Sequence, residues 1–121
     1  MRGVRKNDIG LSTFGEAYFT SIDINTIRGW KLHKLMISNL IVPVGSVKFV
    51  LYDNRTSSKT FKKFQEIVIG SSNYCKLLIP TNVWFAFKGI CSKNLIFNLS
   101  NITHNPKETL TLELNEINYD W

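Results

Sequence analysis

The chain has 121 residues, 44% of them hydrophobic and 12% aromatic, and a formal net charge of +6. That size suits one domain spanning residues 1–121 with a core of its own, and the apolar content excludes a disordered chain. No apolar run approaches the ~20 residues of a membrane span, and none follows the charged start (Arg2, Arg5, Lys6, Asp8). Neither a membrane anchor nor a secretory signal is therefore expected, and the cytoplasm is the expected location.

Ala occurs only at positions 17 and 86, whereas Ile occurs thirteen times. Ala is the best helix former and β-branched residues fit a pleated surface, so the bias points to an all-β fold. The positive charge suits an anionic partner, but it is scattered and forms no stripe that could follow a phosphate backbone. Nucleic acid is not the expected ligand. Cys75 and Cys91 lack C-x-x-C spacing and read as free buried thiols, with a disulfide between them left open.

Residues 1–13 are charged and punctuated by glycine, as in a peripheral arm. Residues 14–22 read as a strand with Phe14, Glu16, Tyr18 and Thr20 on one face, a mixed set that suits a pocket wall. A turn at 23–25 leads into residues 26–42, which read as one long strand closed by Pro43-Val44-Gly45. Residues 46–53 follow, with Val47, Phe49 and Leu51 on one face, and then a polar loop. Residues 64–69, 74–79, 83–87, 95–99 and 109–114 are further short strands between turn clusters. No segment has a 3.6-residue period. Seven to nine short strands close most naturally as an antiparallel double-sheet jelly roll or small barrel, which hides their edges.

The stretch from Arg28 to Asn39 carries the candidate site. Strand alternation puts Lys31, His33, Leu35, Ile37 and Asn39 on one face, with Trp30, Leu32, Lys34 and Met36 on the other. A Lys-x-His pair beside an Arg-Gly step is unusual inside a β-core. An imidazole titrates near neutrality and suits proton abstraction, and a cation about 7 Å along the strand would favour its neutral form. Lys31 could instead be the base itself or polarise a carbonyl. The plainer alternative is a snorkelling Lys31 beside a satisfied core histidine.

Arg28-Gly29-Trp30-(x)2-His33, Val50-Leu51-Tyr52-Asp53-Asn54-Arg55, Ile79-Pro80-(x)3-Trp84-(x)-Ala86-Phe87 and Ile117-(x)3-Trp121 form a collinear series. Together they resemble the dTDP-4-dehydrorhamnose 3,5-epimerase family over roughly residues 14–121. The resemblance implies a cupin-type jelly roll, a homodimer, and a nucleotide-linked 4-keto-6-deoxy sugar as substrate. Such a protein would serve the making of a lipopolysaccharide, O-antigen or capsule.

The departures fall on the family's catalytic positions. Lys31 stands at the place of the family's base His, and His33 where a Gln is usual. Phe85 replaces a second His, and His104-Asn105-Pro106 stands at the step that carries the family's acid Tyr. Arg28, which helps hold the diphosphate in the family, is unchanged. His33 and Lys31 are thus the catalytic candidates. Arg28, Glu16, Tyr18, Asn39 and His104 are the substrate-binding ones, and Trp84, Phe85 and Phe87 are read as core. Metal-binding cupins present His-x-His with a Glu and a later His, so no metal is expected here, and no cofactor. The alternative reading is a non-catalytic sugar-nucleotide-binding or scaffold protein on the same fold.

Overall fold

The alternating segments form nine β-strands in the computed structural model, which describes Arg5 and residues 13–121. They are β1 (Glu16–Asp23), β2 (Ile27–His33), β3 (Ser38–Val44), β4 (Ser46–Asp53), β5 (Phe64–Gly70), β6 (Leu77–Ile79), β7 (Val83–Gly89), β8 (Lys93–Ser100) and β9 (Thr109–Leu112). Among the described residues the only helices are two three-residue 3-10 turns, Pro106–Glu108 and Leu114–Glu116, and neither could cross a membrane. Most of the 1–13 arm lies outside the described residues.

The strands pair antiparallel in two sheets, ordered β1-β8-β3-β6 and β5-β4-β7-β2-β9. This is the antiparallel jelly roll. Val47, Phe49 and Leu51 of β4 meet Leu40 and Val42 of β3 and Ile96 of β8 in the core between the sheets. Burying each such side chain is worth about 1.5–3 kcal/mol. A second apolar layer covers the outer face of the five-stranded sheet, where Ile117, Tyr119 and Trp121 lie over Trp30, Val50 and Trp84. At the β3–β4 turn Gly45 has φ +80, and a Cβ there would lie 2.2 Å from the Lys93 carbonyl oxygen, so glycine is required.

The single strand expected over 26–42 is two strands in different sheets. The chain leaves the five-stranded sheet after His33 and enters the four-stranded sheet at Ser38. Pro43, expected to end that strand, lies within β3, where the pairing with β8 slips by one residue and its missing N–H does no harm. The expected strand at 74–79 shrinks to Leu77–Ile79. Cys75 and Cys91 are free and half-buried rather than fully buried.

Candidate active site between the two sheets

A cavity of about 410 Å³ lies between the sheets, within the usual range for small-molecule sites. The four-stranded sheet supplies one wall through Glu16, Tyr18 and Asn98, and the five-stranded sheet supplies the other through Arg28, Lys31 and His33. Phe49, Phe85 and Phe87 give it an apolar floor; Phe85 belongs to the core cluster and Phe87 packs against it, so both are core residues that also face the cavity, while Trp84 packs in the outer layer.

A β-bulge sets the cationic wall. Arg28 pairs with Phe87 but Lys31 pairs with Phe85, so β2 carries one extra residue between them, at Gly29-Trp30. Strict alternation would put Arg28 on the face of Trp30 and Leu32. The extra residue instead turns it onto the face of Lys31 and His33. Arg28 Nη2 donates to the Ser21 carbonyl at 3.2 Å, which holds the guanidinium against the edge of β1. Neither Arg28 nor Lys31 has an ion-pair partner among the described residues.

The partner of His33 is Glu108, not Lys31. His33 is 8% exposed and Glu108 is 3% exposed, and His33 Nδ1 lies 2.6 Å from Glu108 Oε1. Glu108 Oε2 accepts the backbone N–H of Leu35 at 3.0 Å and of Met36 at 3.2 Å, and the Thr109 hydroxyl donates to Oε1 at 3.0 Å. Burial pushes the Glu108 carboxyl upward. The Leu35 amide, the His33 ring, the Met36 amide and the Thr109 hydroxyl outweigh it and hold the pKa at about 2. An ionised Glu108 fixes the proton of His33 on Nδ1 and leaves Nε2 as the free base nitrogen. The ring stacks on Phe85 with centroids 5.9 Å apart, which steadies its plane.

Local chemistry explains why the chain delivers Glu108 to this point. Asn105 caps the 3-10 turn through its side chain, which accepts the Lys107 N–H, and Pro106 occupies the first turn position. The next residue but one, Glu108, then points inward beside β9. Its hold on the Leu35 and Met36 amides is also what turns the chain out of β2.

Six of the seven residues singled out from sequence line the cavity: His33, Lys31, Arg28, Glu16, Tyr18 and exposed His104. Asn39 does not. It is fully buried in β3, where Leu40 takes the cavity face, and its amide donates to the Leu99 carbonyl at 3.4 Å. The alternation from His33 to Asn39 fails because residues 34–37 are not strand. Sequence reasoning missed Glu108 altogether. Among the described residues no three His, Cys, Asp or Glu side chains converge as a metal site would require.

A second buried carboxylate organises the loop that follows β4. The Asp53 carboxylate accepts the Arg55 backbone N–H and Nε at 2.9 Å and Nη2 at 3.0 Å, and also the Thr60 hydroxyl. The guanidinium holds this carboxyl well below the usual carboxylate range.

No family model matches the chain. Among solved structures it is similar to a dTDP sugar isomerase from Desulfovibrio desulfuricans G20, with 31% identity and a TM-score of 0.93 over 99% of this chain and 79% of that one. A dTDP-4-dehydrorhamnose 3,5-epimerase from Bacillus anthracis, solved with TDP and PPi bound, shares the fold at a TM-score of 0.81 and 20% identity, over 90% of this chain and 66% of that one. Among curated proteins, the probable low-salt glycan biosynthesis epimerase Agl13 of Haloferax volcanii is 29% identical over 75 residues, 61% of this chain and 48% of its own length. The spore coat polysaccharide biosynthesis protein SpsL of Bacillus subtilis is 27% identical over 106 residues, 87% of this chain and 70% of its own. The chain thus spans about half the length of the first of these curated relatives.

Proposed function

The chain belongs to the dTDP-4-dehydrorhamnose 3,5-epimerase family, and from that premise we propose that it is an epimerase or isomerase of a nucleotide-activated 4-keto-6-deoxy sugar. Its place would be polysaccharide biosynthesis, the setting named for SpsL, with Agl13 named for glycan biosynthesis. The observation that carries this reading is the buried His33–Glu108 pair, 2.6 Å apart, on the wall of a cavity that also holds two cations without acidic partners.

In this reading the sugar lies between the sheets. His33 Nε2 removes the acidic proton α to the C4 ketone, and Glu108 stabilises the imidazolium that forms. Lys31, on the same face, stabilises the negative charge that develops on the C4 oxygen. Arg28 binds the diphosphate, since a guanidinium pairs with phosphate oxygens in a forked geometry. Glu16, Tyr18 and His104 contact the sugar from the opposite wall and the mouth. The role that the family gives to a histidine at position 31 thus moves two residues along the strand, to His33.

The protein works as a homodimer in the cytoplasm. Phe19 is 64% exposed on the outer face of the four-stranded sheet, in a tilted ring pair with Phe97 at 5.0 Å, and half-buried Leu95 and Leu99 extend the patch. A second copy would cover this face. The free half-buried thiols suit a reducing compartment. Proton NMR of dTDP-4-keto-6-deoxyglucose incubated with the protein in D2O tests the chemistry. Loss of the signals of the hydrogens flanking the ketone supports it, and substrate that binds but keeps those hydrogens refutes it in favour of a binding protein.

A further inference from the structure

Inverting a carbon next to a ketone needs a proton removed on one face and a proton delivered on the other. His33 stands on the five-stranded sheet, so the donor must come from the four-stranded sheet across the cavity. Tyr18 and Asn98 are directly opposed in the β1–β8 ladder, and both face the cavity. Asn98 is 6% exposed, and its Nδ2 donates to the Tyr18 hydroxyl oxygen at 2.8 Å. The fully buried Ser100 hydroxyl donates to Asn98 Oδ1 at 3.2 Å, which fixes the amide in that orientation.

The polarity of this relay decides what Tyr18 can do. An amide N–H occupies an acceptor position on the phenol oxygen, so the phenolic proton has no claim from Asn98 and is left for the cavity. From this arrangement we propose that Tyr18 is the general acid of the site, with Asn98 and Ser100 as its positioning residues. The assignment rests on the epimerase reading above. It places the acid on β1, whereas the step matching the family's acid tyrosine carries His104 instead.

The proton count closes. His33 Nε2 takes the hydrogen α to the ketone, the C–H pair becomes the C=C of an enolate, and the carbonyl π pair moves onto the C4 oxygen. The enolate carbon then takes the Tyr18 Oη proton on its other face, re-forming the ketone and leaving a phenolate. The imidazolium gives its proton to water and the phenolate regains one from water. Burial raises the Tyr18 pKa above the ordinary phenol value, which keeps it protonated at rest, and the charge of Glu16 adds to this. Asn98 pulls the other way, because its N–H stabilises the phenolate once it forms.

The test follows dTDP-4-keto-6-deoxyglucose in D2O and reads two rates, deuterium entry into recovered substrate and appearance of the epimer. The first reports His33 and the second needs the donor on the other face. Tyr18→Phe removes one hydroxyl from a half-exposed ring, and Asn98→Asp reverses the relay so that the carboxylate claims the phenolic proton. In both variants the ratio of epimer formed to deuterium exchanged should fall at least 100-fold, the scale of losing a positioned acid. A Tyr18→Phe ratio within threefold of wild type overturns the assignment alone. Wild type that exchanges but forms no epimer also overturns it and leaves the base standing. Wild type that exchanges nothing overturns the epimerase reading and this inference together.

Discussion

Replacing Glu108 by Gln removes one charge from a site where that charge does several jobs. In the native chain the carboxylate accepts two backbone N–H groups, a hydroxyl and the His33 ring. A Gln offers one oxygen and one NH2, so either an amide donor or the ring Nδ1–H is left facing another donor. Leaving one buried donor unsatisfied costs about 1–3 kcal/mol. The depressed pKa gives a second route to the magnitude. Moving a carboxyl from its ordinary 4.5 to about 2 corresponds to about 3 kcal/mol of folding stability. Because the folded-state pKa is the lower one, that stability is complete above about pH 4.5 and is lost as pH falls toward 2. Urea denaturation at pH 7 should therefore find Glu108→Gln less stable by about 2–4 kcal/mol. From pH 5 down to 2 the difference between the two proteins should shrink, because the variant has no charge there to lose. The same change should lower kcat at least tenfold through loss of the ring's orientation. Equal urea midpoints at pH 7, or a gap that stays constant down to pH 2, would refute the reasoning.

Arg28→Ala should weaken dTDP binding about 10- to 100-fold by calorimetry, the scale of one lost charge-assisted contact, and an unchanged affinity would move the diphosphate elsewhere. Asn94→Ala should destabilise by about 3–5 kcal/mol in urea. Its side chain saturates four backbone groups, the N–H of Ser46 and Cys91 and the carbonyls of Ile22 and Cys91, and so ties three turns together. A midpoint within experimental error of wild type would contradict that role. Phe19→Glu should leave a monomer in sedimentation at tens of micromolar, with the fold intact, where the proposed interface predicts a dimer for wild type, and a dimer persisting in the variant would place the interface on another face.

Most of the barrel was legible because its signals are local. Val47, Phe49 and Leu51 alternate in sequence and face the core together, and Gly45 marks its turn by chemistry that only glycine satisfies. The β1 face of Glu16 and Tyr18 was equally plain, since a strand without a bulge keeps its alternation. The break after His33 was not legible. Lys34 interrupts the apolar–polar alternation of Trp30 to His33, but Leu35 and Met36 keep the stretch apolar, and the chain turns there because a carboxylate more than 70 positions away holds the Leu35 and Met36 amides. Asn39 was misplaced for the same reason. The bulge had a signal in Gly29, a residue that weakens a regular strand, though its effect on Arg28 appears only in the register. Glu108 had none. Asn105-Pro106 announces a turn, but which buried ring a following acid will meet is decided by the closure of the whole barrel.

The proposed base of the cavity is His33, oriented by Glu108. The most direct test of this assignment compares wild type and His33→Ala for deuterium entry into dTDP-4-keto-6-deoxyglucose in D2O, with dTDP affinity measured on both. Exchange should be at least 100-fold slower in His33→Ala, with dTDP affinity within a few-fold of wild type. Exchange at the wild-type rate in His33→Ala would contradict it.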